Sequence, residues 1–393
     1  MRIAIVNDMP MALEGLRRVV QSTGEHEIAW MASGGQEAVA CCAEDLPDLV
    51  LMDIIMPEMN GVETTRQIMR SSPCPILVVT SSVHSNSALV FEAMGNGALD
   101  AVNTPVLMGE SAGSAQEALL LKISMLNVLT KSRSSDTVSV VPRVIKEPIC
   151  FERTSEKALE SASEKSTEKA AENACASDFS IAAERSANKK PALQSISLVA
   201  IGASSGGPQA LATVLKGLPA DYNSAIVIVQ HVDVQFSQGL ADWLNQQITL
   251  PVRLAKPGDR PHPGQVLLAG TDDHLVLQSN GELNYIKEPK DFPYRPSVDV
   301  FWNSLTEHWN GPLTAVLLTG MGRDGAKSML ELRRGGAFTV AQDEASCAVF
   351  GMPKAAINLN AAKSICAIEK ISDVIIQNGS SNMLSWPNVK GKC

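Results

Sequence analysis

The chain has 393 residues, 45% of them apolar, and 33 Lys+Arg against 42 Asp+Glu, a net charge of −9. That length exceeds one ordinary domain and suits two or three, and the apolar share can bury real cores, which excludes wholesale disorder. An acidic chain without a basic stripe has no electrostatic reason to coat nucleic acid. The opening apolar run breaks at Asn7 and Asp8, and no stretch reaches the roughly 18 uninterrupted apolar residues of a membrane span, so neither a signal peptide nor membrane insertion is expected. Eight scattered cysteines with no Cys-x-x-Cys pair suit a reducing cytosol and argue against a disulfide framework or a zinc site. The expectation is a cytoplasmic protein.

Short apolar runs at 3–6, 28–31, 49–52, 76–79 and 98–102 read as strands, because near-continuous branched residues fit a sheet covered on both faces. Helical spacings lie between them, as in Ala12-Leu13-x-x-Leu16-x-x-Val19-Val20. Five such units predict a doubly wound parallel sheet. From about Ser132 to Pro191 the chain turns to Ser, Ala, Glu and Lys, too poor in apolar side chains to offset the entropy of ordering; it reads as a long flexible linker, or alternatively a solvated single helix. A second βα rhythm has strands at 197–201, 225–229, 265–269, 313–318 and 338–341, and the residues after Ile376 read as a frayed tail. The predicted division is 1–125, a linker 132–193, a second domain 194–376 and a tail 377–393.

In an open parallel sheet, ligands bind beyond the carboxyl ends of the strands. In the first domain Asp8 ends strand 1, Asp53 ends strand 3 and Thr80-Ser81 end strand 4. Two carboxylates at one rim suit Mg²⁺, and a carboxylate beside Mg²⁺ can attack a phosphoryl donor to give an aspartyl phosphate. The alternative is that both merely cap the helices that follow.

In the second domain, "LVAIGASSGGPQAL" (198–211) is a strand, a glycine-rich turn and a helix. Such a turn frees backbone N–H groups where negative charge is favoured. A dinucleotide site would want G-x-G-x-x-G and an acid ending the next strand; here the spacing is Gly202-x-x-x-Gly206-Gly207, and that strand ends in Gln230-His231, with Asp233 just beyond. Acyl transfer asks for a serine, a histidine base and an orienting carboxylate. Ser204, His231 and Asp324 fall at the same rim of one sheet, whereas His262 and His274 are placed in loops. There is no G-x-S-x-G elbow, so the chain is not an α/β-hydrolase by signature. A nucleotide-dependent enzyme and a non-catalytic binding module stay open on the residues alone.

"LVLMDIIMPEMNGVE" (49–63) resembles the phosphoacceptor segment of two-component receiver domains, with similarity from residue 1 to about 125. The resemblance implies a flavodoxin-like fold, phosphorylation at Asp53, a switch hydroxyl at Thr80, and Mg²⁺ held by Asp8, Asp53 and the carbonyl of Ile55. Two departures stand out: Asn7 replaces one of two usual acids, and Asn103-Thr104-Pro105 replaces the usual Lys-Pro. "IGASSGG", "VIVQH", "RPSVDVFW", "LTGMGRDGA" and "AQDEASCAVFGMPKAAI" are similar in order and spacing to the CheB family of protein-glutamate methylesterases, over about 195–370. That implies a Rossmann-like esterase domain with Ser204 as nucleophile, His231 as base, Asp324 as orienting acid, and the N–H groups of Ser205 and Met321 as oxyanion hole, with no cofactor for the esterase. It further implies methyl-accepting chemoreceptors as substrate, a CheA-type histidine kinase as phosphodonor, and a receiver that covers the cleft until phosphorylated. Arg295 with Pro296-Ser297-Val298-Asp299 either lines the cleft or makes fold-holding contacts, and the "FGMP" turn at 350–353 reads equally as structural. The receiver half is similar to the Wsp-type subgroup, whose members adapt receptors controlling a diguanylate cyclase.

Overall fold

The computed structural model describes residues 1–80, 83–105, 112–133, 196–290, 292 and 294–381. The N-terminal half alternates strand and helix: β1 (Arg2–Val6), α1 (Pro10–Ser22), β2 (Glu27–Ala32), α2 (Gly35–Glu44), β3 (Leu49–Met52), α3 (Gly61–Ser71), β4 (Ile76–Thr80), α4 (Val83–Gly95), β5 (Asp100–Asn103) and α5 (Ala112–Arg133). Its sheet is parallel in the order β2-β1-β3-β4-β5. The C-terminal half continues with β6 (Leu198–Ala203), α6 (Gly207–Lys216), β7 (Ala225–Gln230), α7 (Val234–Gln247), β8 (Val252–Leu254), β9 (Val266–Leu268), β10 (His274–Leu277) and β11 (Leu283–Ile286). It closes with α8 (Val298–His308), β12 (Leu313–Leu317), α9 (Ala326–Arg334), β13 (Phe338–Gln342), α10 (Met352–Asn358), β14 (Ser364–Cys366) and α11 (Ile368–Ser381). Seven of these strands form a parallel sheet, β14-β13-β12-β6-β7-β9-β8, and β10 and β11 form a separate antiparallel hairpin.

Period-two alternation decides which face each strand residue covers. Val199 and Ile201 of β6 enter one buried cluster, and Leu198 and Ala200 enter another on the opposite face. Ala4 and Val6 of β1 share the first of these clusters with Val199 and Ile201, so the two halves pack into one compact unit through a common apolar layer. The seam is α4 against α7, where Phe91 and Trp243 lie with ring centroids 6.2 Å apart.

Several boundaries differ from the sequence reading. Ala98 and Leu99 precede β5 rather than opening it, because the Ala98 N–H closes the end of α4 on the Ala93 carbonyl. α5 runs to Arg133, past the expected domain end at 125, and the rest of the expected linker lies outside the described residues. α11 continues to Ser381, beyond the tail expected after Ile376, because Ile371 and Ile375 bury its inner face. His274 is not in a loop but opens β10, fully buried. Five described cysteines (41, 42, 74, 347 and 366) are free thiols. No described helix is long and apolar enough to cross a membrane.

Candidate active site

The chain leaves β6 for β7 on one side of the C-terminal sheet and later returns beside β6 with β12. The carboxyl ends of these strands therefore flank the point where strand order reverses, the place such sheets offer a crevice. Ser204 follows β6 directly, 5% exposed. Gly206 caps α6 at φ +75°, a left-handed conformation that favours glycine, and a Cβ there would lie 2.5 Å from that of Ala348. The buried Gln230 amide donates to the Ser204 carbonyl (2.8 Å) and the His231 carbonyl (3.0 Å), tying the ends of β6 and β7 together.

His231 follows β7, its N–H on the Ala203 carbonyl. Its Nε2 lies 2.8 Å from Asp324 Oδ2, both side chains under 8% exposed. Its Nδ1 is buried without a hydrogen-bond partner among the described residues. The Tyr294 ring stacks on the imidazole, centroids 4.3 Å apart and planes within 6°. Burial and the nearby charges of Asp324 and Asp100 push the Tyr294 phenol up from its ordinary value.

Asp324 lies at the N-terminus of α8 and collects donors. Oδ2 accepts from His231 Nε2 and from the Val298 N–H (2.7 Å). Oδ1 accepts from Ser297 Oγ (2.9 Å) and from the N–H groups of Asp299 (3.0 Å) and Gly325 (3.1 Å). Burial alone would raise its pKa, but the bond and charge of His231 and the backbone donors outweigh that and hold the carboxyl below its usual range.

The N–H groups of Ser205 and Met321 donate to no acceptor among the described residues, and both residues are buried. The Thr319 hydroxyl donates to the Ser205 carbonyl (3.0 Å), bracing the turn against the end of β12. Beside them the N-terminal half reaches in: the Leu99 carbonyl accepts from the Gly206 N–H (2.8 Å), and Asp100 Oδ2 lies 3.4 Å from Ser205 Oγ. Met321 and Val349 share a buried cluster with Leu119, Ile123 and Leu126 of α5, and Tyr294 Oη lies 3.9 Å from Met125 Sδ.

At the N-terminal rim, register sets Val6 opposite Met52 and Met52 opposite Val78, so Asp8, Asp53 and Thr80 end adjacent strands. Asn7 Nδ2 donates to Asp53 Oδ2 (2.8 Å), and Asp53 Oδ1 accepts from the N–H groups of Ile54 (2.7 Å) and Ile55 (3.4 Å). Burial pushes the Asp53 carboxyl up, and the Asp8 charge adds to the rise against those backbone bonds. Asp8 and Asp53 lie close enough for their charges to interact, and two carboxylates with a loop carbonyl are the oxygen donors that Mg²⁺ takes, so the residue types fit that ion. Thr80 is buried, its carbonyl accepting from the Thr104 N–H (2.9 Å); Ser81 lies outside the described residues. No cluster of three or more His, Cys, Asp and Glu able to hold a metal occurs among the described residues.

Sequence reasoning left Tyr294, Gln230 and His274 out of the site. The available signal was Ser297 before an apolar helical run, an N-cap pattern that marks a helix start and hence a place where a carboxylate is held. Ser297, Val298 and Asp299 bind Asp324, while Arg295 is exposed. The "FGMP" turn braces the rim, with the N–H groups of Gly351 and Met352 both on the Gly320 carbonyl.

Residues 199–375 match the CheB methylesterase family and residues 3–111 the response regulator receiver domain. The chain is 48% identical over 373 residues to the protein-glutamate methylesterase/protein-glutamine glutaminase 3 of Pseudomonas aeruginosa, covering 95% of this chain and 98% of that one. It is 46% identical to the corresponding protein of Mesorhizobium japonicum, covering 96% and 98%. The crystal structure of the Thermotoga maritima CheB methylesterase catalytic domain is 36% identical with a TM-score of 0.44, covering 46% of this chain and 97% of that one. The match along nearly the whole length of both chains places this protein in the CheB family, a response regulator receiver joined to a methylesterase domain.

Proposed function

We propose that the protein hydrolyses γ-glutamyl methyl esters on methyl-accepting chemoreceptors, and deamidates receptor glutamines, under control of phosphorylation at Asp53. The observation that carries the reading is the buried His231–Asp324 bond beside the turn of Ser204, with His231 Nδ1 left without a partner among the described residues. His231 Nδ1 takes the proton of Ser204 as its oxygen adds to the ester carbonyl, and Asp324 holds the ring and stabilises the imidazolium. The N–H groups of Ser205 and Met321 receive the oxyanion. Collapse breaks the ester C–O bond, and the proton on His231 leaves with methanol. Water then adds to the acyl-enzyme by the same route, releasing glutamate and restoring Ser204. With a glutamine, ammonia leaves in place of methanol.

Asp8, Asp53 and the Ile55 carbonyl would hold Mg²⁺, which, when bound, offsets the charge of a phosphoryl group arriving at Asp53. The phosphodonor is a CheA-type histidine kinase. The Leu99 carbonyl on the Gly206 N–H and the packing of Met125 on Tyr294 support a closed state in which the receiver occupies the mouth of the site. Thr104 stands where receivers usually carry a lysine, so the ammonium that would pair with the phosphoryl group is missing. Phosphorylation is expected to proceed with an altered lifetime or weaker coupling to the esterase, and Thr104→Lys to increase the activation by phosphodonor. A phosphorylation time course measures this, and decay and activation matching ordinary receivers would sink it.

The test of the function is methanol release from methylated receptor membranes, with and without a small-molecule phosphodonor. Release from the full chain should be abolished by Ser204→Ala and raised in a fragment beginning near Pro191. No release from any variant, on membranes that a known methylesterase demethylates, would overturn the assignment.

A further inference from the structure

His274 opens β10 with no exposed surface. Its ring nitrogens meet opposite partners. The Ser297 N–H, 3.1 Å from Nδ1, can only donate, and the Pro289 carbonyl, 3.0 Å from Nε2, can only accept. The site therefore holds a neutral imidazole with its proton on Nε2. Phe292 meets the ring edge-on, centroids 6.0 Å apart.

Ser297 is the N-cap of α8 and stands within a short strip that touches both members of the His231–Asp324 pair. Tyr294 lies flat on His231, while Ser297, Val298 and Asp299 supply three of the five donors to Asp324. His274 grips the main chain of this strip at Ser297. An apolar residue of similar volume would fill the space but strand the buried Ser297 N–H.

We propose that His274 is a positioning residue of the esterase: by accepting the Ser297 N–H it fixes the 294–299 strip, and the strip fixes Asp324 and the plane of His231. His274 touches no substrate atom. The proposal rests on the reading of Ser204, His231 and Asp324 as the catalytic set.

The experiment compares wild type, His274→Asn, His274→Gln and Ser297→Ala in the full chain. Asparagine keeps an acceptor near the place of Nδ1; glutamine reaches the place of Nε2 as a donor and leaves the Ser297 N–H without its partner. His274→Asn is expected to keep kcat within about threefold, and His274→Gln to lose about 10- to 100-fold in kcat with little change in KM. The proton NMR resonance of the His231–Asp324 bond should be retained in His274→Asn and shifted or lost in His274→Gln. Ser297→Ala, which leaves the Ser297 N–H on His274 but removes the Oγ donor to Asp324, should move both readouts in the same direction and tests the link from the strip to Asp324. His274→Leu, which removes the acceptor of the Ser297 N–H, replaces the glutamine variant if that does not fold and should move both readouts as the glutamine variant would. Equal kcat in the two His274 variants, rate losses that simply follow melting temperature, or an unmoved resonance in His274→Gln and Ser297→Ala would overturn the proposal. Activity surviving in Ser204→Ala would instead sink the catalytic assignment, while the resonance would still report whether His274 sets the His231–Asp324 geometry.

Discussion

Asp324→Asn is expected to lower methanol release by about 10⁴-fold and to lower the melting temperature as well. The kinetic loss follows from orientation: an amide cannot stabilise the imidazolium, and it favours the wrong tautomer of His231. The stability loss follows from the donors. All five partners of Asp324 among the described residues donate, so the new NH₂ faces N–H and O–H groups and gains an acceptor only by shifting the His231 proton to Nδ1. The wild-type contribution also has a definite pH sense. Because the folded carboxyl titrates below its unfolded value, the stability it adds is complete above the unfolded pKa and is lost only as pH falls through the folded one, below the ordinary carboxylate range. Kinetics at neutral pH with thermal unfolding of the same sample measure both effects. A variant with near wild-type turnover would remove Asp324 from the mechanism.

Gly239→Leu is expected to raise basal methylesterase activity by about tenfold for each 1.4 kcal/mol of contact it removes between the halves, and to flatten the response to phosphodonor. A Cβ at this buried position of α7 would lie 2.3 Å from the Cβ of Ser87 on α4, beside Phe91. Neither helix can yield there without separating, since Phe91 and Trp243 fill the adjoining space. In a fragment beginning near Pro191 the same substitution has no α4 to meet, so its rate should match the unsubstituted fragment. An unchanged basal rate in the full chain would mean that this seam does not hold the site closed.

The sequence placed Ser204, His231, Asp324, Asp8, Asp53 and Thr80 at or beyond strand ends because long branched runs such as "AIVIV" and "LVLM" announce buried parallel strands, and the segment that follows each falls at the rim. His274 escaped because β10 is four residues long, too short for periodicity to separate it from a loop. Tyr294 escaped because its partner, His231, lies 63 residues away with nothing in either neighbourhood to join them. The seam between the halves was equally hidden: spacing in α7 marks an apolar face but not what covers it, and a glycine at 239 looks like a weak helix residue rather than a contact point.

Under the proposed gating, the Leu99 carbonyl seated on the Gly206 N–H also makes the substrate a participant in opening the enzyme. A substrate segment that needs the Ser204 turn must first displace that carbonyl, so binding and release of the receiver are one coupled equilibrium. Coupling of this kind is reciprocal. A high local concentration of substrate would pull receivers off the turn with less help from phosphorylation, and phosphorylation would raise the affinity for substrate by the same factor. The fraction of open enzyme would then depend on how much substrate surrounds the protein as well as on how much of it carries phosphate.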